Sequence, residues 1–201
     1  MDTISIISIL ENLYADWGII LVFLSSFVEI TPIGFSIPGG TVIALGGFFA
    51  NGGKISLLNI LIPAWIGAWL TFLLAYLLGY KTGHWLVLKL RQEKNAQKAY
   101  ILLKNHGAII LTTSMLANLT RFWVAYVAGE EKYNFRKFFI YSGAASLTWT
   151  SLMVTLGYLA GVGRYDIEHA LGKIGIIPWI FVVIALITLY ITTKKEFKNK
   201  L

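Results

Sequence analysis

The chain has no cysteine, only four prolines, and little charge: 13% of its 201 residues are charged against 57% hydrophobic. Without cysteine, disulfides, thiolate chemistry and cysteine-based metal sites are excluded. A soluble domain is nearer a quarter charged. With a mean hydropathy of +0.70, the chain reads as a membrane protein that spans the bilayer several times. Clustered metal or acid–base signals are also missing. His84, His106 and His169 are scattered at segment ends, and none forms a motif with a nearby Asp or Glu. The sequence therefore points away from an enzyme and implies no cofactor or metal. The start, MDTISIISILENLYADWG, has neither the basic n-region nor the cleavage site of a signal peptide. Ile4, Ile7, Leu10 and Leu13 recur at helical spacing there, so an amphipathic surface helix is expected over residues 1–16.

What is present is apolar length. Segments 17–50, 57–80, 107–128, 138–161 and 174–193 are long enough to matter, since a spanning helix needs about 20 apolar residues. Segments 57–80, 138–161 and 174–193 read as ordinary spans, with Trp65, Trp69, Trp149 and Trp179 lining interfaces or packing. The stretch 17–50 is too long for one span and is interrupted, within residues 27–50, by Pro32, Pro38 and five glycines. It divides into a helix of about 17–30 and a broken portion after it.

The formal charge of +7 does not suggest nucleic acid. The basic residues sit at segment ends and in one amphipathic stretch, residues 81–106, with Lys81, Lys89, Arg91, Lys94, Lys98 and Lys104. That pattern suits a helix lying on anionic headgroups at the cytoplasmic leaflet. The tail repeats it with Lys194, Lys195, Lys198 and Lys200. If 107–128 crossed the bilayer, the lysine-rich tail would end outside, against the positive-inside rule. If 107–128 dips in and returns, the charges fall on the cytoplasmic side. Running the same logic backwards, 31–50 dips in from the outer face and the first helix starts inside. The expected fold is an all-α polytopic membrane protein with two re-entrant broken-helix segments in an inverted repeat: a first repeat 17–80, the basic helix 81–106, a second repeat 107–161 and a last span 174–193. Both termini are expected in the cytoplasm, in the cell membrane. Letter-for-letter repetition between the halves is not visible, and the glycine-rich helices can also serve self-association into a homo-oligomer.

Two ionisable residues stand inside these broken segments. Glu29 precedes Pro32, Pro38, Gly39 and Gly40; it is either functional, as intramembrane charges usually are, or a helix cap at the outer interface. Arg121 is the only charge between His106 and Glu130, among Thr112, Thr113, Ser114, Asn118 and Thr120. Arginine grips phosphate bidentately, although from this position it can also snorkel to the headgroups. Backbone freed by the breakers needs protein or water as partner.

In order, these pieces resemble the DedA family, also called the SNARE-associated or VTT-domain superfamily, over about residues 18–161. The resemblance rests on Glu29, Pro32, Pro38-Gly39, Gly46 and Gly47, then Tyr76-Leu-Leu-Gly79 and Gly83. It continues with Gly107, Arg121 and Ala128-Gly129, and with Phe138, Gly143, Trp149 and Gly157-Tyr158-x-x-Gly161. The chain departs from the family pattern at Gly40 and Phe72, where acids are common, at Met115, where a first arginine stands, and in lacking prolines near Asn118 and Ala125.

The resemblance implies transport of a phosphate-bearing lipid, such as undecaprenyl phosphate or a phospholipid, by a flippase or scramblase. The expected substrate-binding set is Glu29, Arg121, Pro38, Gly39, Gly40, Asn118 and Thr120. With the other acids missing, facilitated movement down a gradient is expected over strong proton coupling. The alternatives are a proton-coupled small-solute or ion transporter and a non-transporting membrane scaffold.

Overall fold

The computed structural model describes residues 3–32, 34, 39–53, 55–106, 110 and 121–162. The described residues form helices and turns with no strand: α1 (Thr3–Glu29), α2 (Gly39–Ala50), α3 (Leu57–Thr82), α4 (Trp85–Lys89), α5 (Glu93–His106), α6 (Arg121–Glu130) and α7 (Phe135–Val162). The chain is an all-α membrane protein. Among the described residues three helices are long and apolar enough to cross a bilayer: Ile9–Glu29 within α1, Leu57–Thr82 and Phe135–Val162. The expected last span, 174–193, lies outside the described residues.

α3 shows why these helices belong in lipid. Ile60, Ala64, Ala68, Phe72 and Ala75 are buried, while Leu58, Ile62, Ile66, Leu70 and Leu74 form an exposed stripe on the other side. A helix apolar on every face has no side to offer water. α6 is the opposite case. It is short, yet every residue from Arg121 to Gly129 is buried, so it lies inside the bundle.

Two expectations change at the N-terminal end. α1 is one unbroken helix from Thr3, not a surface helix over 1–16 followed by a separate span, because no breaker interrupts it before Thr31. Its direction is also the reverse of the expected one. A Cβ on Gly18 would touch Ile60 Cδ1 at 3.5 Å, and Thr71 Oγ1 donates to Phe27 O at 2.7 Å. α1 therefore runs parallel to α3 and starts at the end where α3 starts, opposite the basic α5. Glu29 ends it level with the middle of α3. There Thr31 turns the chain: its N–H and Oγ1 both donate to Val28 O, at 2.9 and 2.6 Å. α2 then runs back beside α1. Tyr14 Oη donates to Val42 O at 2.8 Å, and Tyr14 packs on Phe49.

The expected single basic helix over 81–106 is likewise divided. α3 continues to Thr82, and Arg91 takes a left-handed conformation, φ 52°, that separates α4 from α5. Lys132, φ 51°, makes the same turn between α6 and α7. Tyr133 N–H reaches back to Ala128 O at 2.8 Å, the bonding pattern of a helix end closed by a left-handed residue.

The two halves share one pattern of packing. α2 packs along α7, and α6 packs along α3. A Cβ on Gly47 would overlap Val154 O, and one on Gly157 would overlap Ala44 O. In the other crossing, a Cβ on Gly129 would overlap Tyr76 O, and one on Gly79 would overlap Tyr126 O. In all four cases the carbonyl lies three residues before the partner's glycine. Each half thus lays its short helix against the long helix of the other half, in one register. Close backbone approach of this kind needs glycine on both sides. α3 and α7 are joined antiparallel by indoles: Trp65 Nε1 donates to Gly143 O at 2.9 Å, and Trp69 Nε1 to Phe139 O at 3.2 Å.

Candidate functional site

The ends of the two short helices meet one carboxylate. Glu29 is the last residue of α1, Gly39 the first of α2 and Arg121 the first of α6. Arg121 Nη2 donates to Glu29 Oε1 at 2.8 Å, with side-chain exposures of 1% and 7%. A Cβ on Gly39 would stand 2.6 Å from Glu29 Cβ and 2.7 Å from Oε2. Only glycine lets α2 begin this close to the acid. A helix N-terminus carries partial positive charge, so the carboxylate sits between the start of α2 and a guanidinium that itself opens α6. The position is one an anion prefers.

The walls follow from the exchanged packing of α2 on α7. The point where a Gly40 Cβ would stand is 3.4 Å from Met153 Sδ, 3.6 Å from Trp149 Cζ2 and 3.7 Å from Glu29 Oε1. The Trp149 ring centroid is 5.8 Å from the Arg121 guanidinium carbon, within cation–π range. Farther along the same helix, Ser146 Oγ donates to Ser142 O at 2.7 Å and Thr150 Oγ1 to Ser146 O at 2.9 Å. These buried hydroxyls are satisfied by their own helix.

Of the residues expected at the site, the structure brings Glu29, Arg121, Gly39 and Gly40 together. Pro38, Asn118 and Thr120 lie outside the described residues. Trp149 was expected only to line an interface or pack; it borders the ion pair instead. Its signal in the sequence is the hydroxyl-rich run around it, Ser146 to Ser151 on a spanning helix. The snorkelling alternative for Arg121 does not hold, since its side chain is buried against Glu29.

A separate cavity of about 370 Å³ lies between α5 and α6, lined by His84, Glu93, Tyr100, Val127, Glu130 and Glu131 among others. His84 Nδ1 is 3.0 Å from Glu130 Oε1. Glu130 is thus part of a polar notch at the end of α6. Among the described residues no His, Cys, Asp or Glu group could hold a metal ion.

Comparison with known proteins agrees with this architecture. The chain is 29% identical over 159 residues to an uncharacterized membrane protein of Synechocystis sp., covering 76% of this chain and 71% of that protein. It is 24% identical over 168 residues to undecaprenyl phosphate transporter A of Bacillus subtilis, covering 80% of this chain and 83% of that protein. No solved structure matches it. The VTT domain matches residues 37–159, from the start of α2 almost to the end of α7, and the chain belongs to this VTT-domain, or DedA, family of membrane proteins.

Proposed function

We propose that the protein is a membrane transporter that carries a phosphate-bearing lipid between leaflets, as a flippase or scramblase, with Glu29 and Arg121 at the binding site. One observation carries this reading. A buried carboxylate, close to the start of one short helix, is held by an arginine that opens the other. The carboxylate occupies the place that a lipid phosphate would take. The relative named for undecaprenyl phosphate transport in Bacillus subtilis supports the substrate class.

The exchange follows from charge. Glu29 and Arg121 are neutral together, and taking the arginine away leaves a buried carboxylate at a cost of about 3–5 kcal/mol. A phosphate arriving at Arg121 keeps the arginine paired while Glu29 turns to water or takes up a proton. The headgroup then sits in a polar notch and its tail stays in lipid. We read the helices as two hairpins entering from opposite faces. α1 and α2 form the outer one, and α5 and α6 are arms of the cytoplasmic one. The membrane is then the cell membrane, with the basic α4 and α5 on its cytoplasmic side and the start of α1 on the other.

The test is reconstitution in vesicles, following exposure of a fluorescent or chemically accessible lipid phosphate with and without a proton gradient. Transport is expected in wild-type protein and strongly reduced in Glu29→Ala and Arg121→Ala. Transport indifferent to both substitutions rejects these residues, and solute flux without lipid movement rejects the substrate class. A rate unchanged by the gradient identifies facilitated movement.

A further inference from the structure

The indole Nε1 of Trp149 is buried and has no hydrogen-bond partner. The indole ring lies beside the ion pair. Cζ2, two bonds from Nε1, is 3.6 Å from the Gly40 Cβ position, and Glu29 Oε1 is 3.7 Å from the same point. The ring also faces the Arg121 guanidinium, 5.8 Å from centroid to carbon. A buried donor with no acceptor is uncommon and asks for an explanation.

The anion now at the site supplies one. A carboxylate is planar and has two oxygens. Oε1 accepts from Arg121, and Oε2 lies against Gly39, 2.7 Å from a Cβ built there. Neither oxygen bonds the indole. A phosphate ester is tetrahedral and presents further oxygens out of that plane. One can take the guanidinium and a second the start of α2, which leaves a third for the indole N–H.

Resting on the function proposed above, we propose that Trp149 is a specificity-determining residue of this site: its indole N–H donates to a phosphate oxygen and selects a tetrahedral lipid phosphate over the planar carboxylate of a fatty acid. The ring face remains on the guanidinium and holds its fork in position.

The test is calorimetric titration of the purified full-length protein in detergent with dodecyl phosphate, dodecanoate and inorganic phosphate. Wild-type protein is expected to bind dodecyl phosphate more tightly than dodecanoate by about tenfold or more, the scale of one hydrogen bond to a charged group. Trp149→Phe keeps an aromatic ring and removes the donor; it is expected to lose most of that preference by weakening phosphate binding more than dodecanoate binding. If Arg121→Ala abolishes phosphate binding while Trp149→Phe leaves it intact, the role of the indole is overturned and the lipid-phosphate reading survives. If neither substitution matters, both fall. Weaker binding of inorganic phosphate supports a lipid ligand; equal binding overturns the lipid part. Should Trp149→Phe not fold, the wild-type protein labelled with ¹⁵N at its seven tryptophans decides. One indole N–H resonance must move downfield with dodecyl phosphate and not with dodecanoate, and the absence of any such difference overturns the proposal.

Discussion

Arg121 and Glu29 are 92 positions apart in the chain, and the guanidinium Nη2 donates to the carboxylate Oε1 at 2.8 Å, with both side chains buried. The bond ties the end of the first half's long first helix to the start of the second half's short one. The pair His84–Glu130, by contrast, lies at the exposed end of the bundle.

The first prediction concerns that bond and stability. Arg121→Ala leaves Glu29 as a buried charge and is expected to destabilise the protein by about 3–5 kcal/mol. Glu29→Ala removes the guanidinium's carboxylate partner and is expected to destabilise the protein as well. Removing both should cost less than the two singles together, since no lone charge remains. Unfolding in detergent for the four proteins of this double-mutant cycle measures the coupling, and additive costs would contradict it.

The exchanged crossings make the glycines unequal. Gly79→Ala and Gly157→Ala place a methyl into the backbone of α6 and α2 respectively. Each is expected to cost at least about 1–3 kcal/mol, the usual range for overpacking. Gly18→Ala meets only ordinary contact with Ile60 and Tyr14 at 3.5 Å or more. In a helix it should be neutral or stabilising by up to about 1 kcal/mol. Thermal unfolding midpoints of the three variants decide, and equal shifts would count against the close crossings.

Because the chain contains no cysteine, pairs can be introduced on a clean background. A Cβ on Gly161 would stand 3.0 Å from Asn51 Cβ, slightly inside the separation a disulfide bridges, roughly 3.5–4.5 Å. Asn51→Cys with Gly161→Cys is expected to cross-link under mild oxidation and shift on a non-reducing gel. Failure to form the bond, with both thiols reactive, would place the end of α2 away from α7.

The same background tests the hairpin reading. Gln97 in α5 and Glu131 in the turn before α7 are both exposed, as is Gly52 in the turn after α2. Cysteines at positions 97 and 131 should be labelled by an impermeant reagent from one face of the membrane, and a cysteine at 52 from the other. Labelling of 97 and 131 from opposite faces would mean that the segment between them crosses.

Much of the architecture was legible in the residues themselves. Low charge and long apolar runs place the chain in a membrane because unpaired charge is costly there. Pro32, Pro38 and the glycines around them marked the helix break, since proline removes a donor and glycine frees the backbone. Glu29 and Arg121 stood out for the same reason, as ionisable groups in otherwise apolar segments. Those signals are local, and local chemistry is written in the sequence.

The tertiary structure alone decided direction and partnership. Nothing in residues 3–29 says that α1 runs beside α3 rather than against it; that follows from Gly18 meeting Ile60 and Thr71 meeting Phe27. The reciprocal packing of the short helices on the long ones is carried by four glycines in two crossings, a relation of backbone surfaces that no letter-by-letter comparison detects. The place of Trp149 beside the ion pair depends on α2 packing against α7. A side chain's identity limits what it can bind, but which groups it meets is set by how distant helices pack, because packing free energy is summed over the whole interface and is not a property of any one segment.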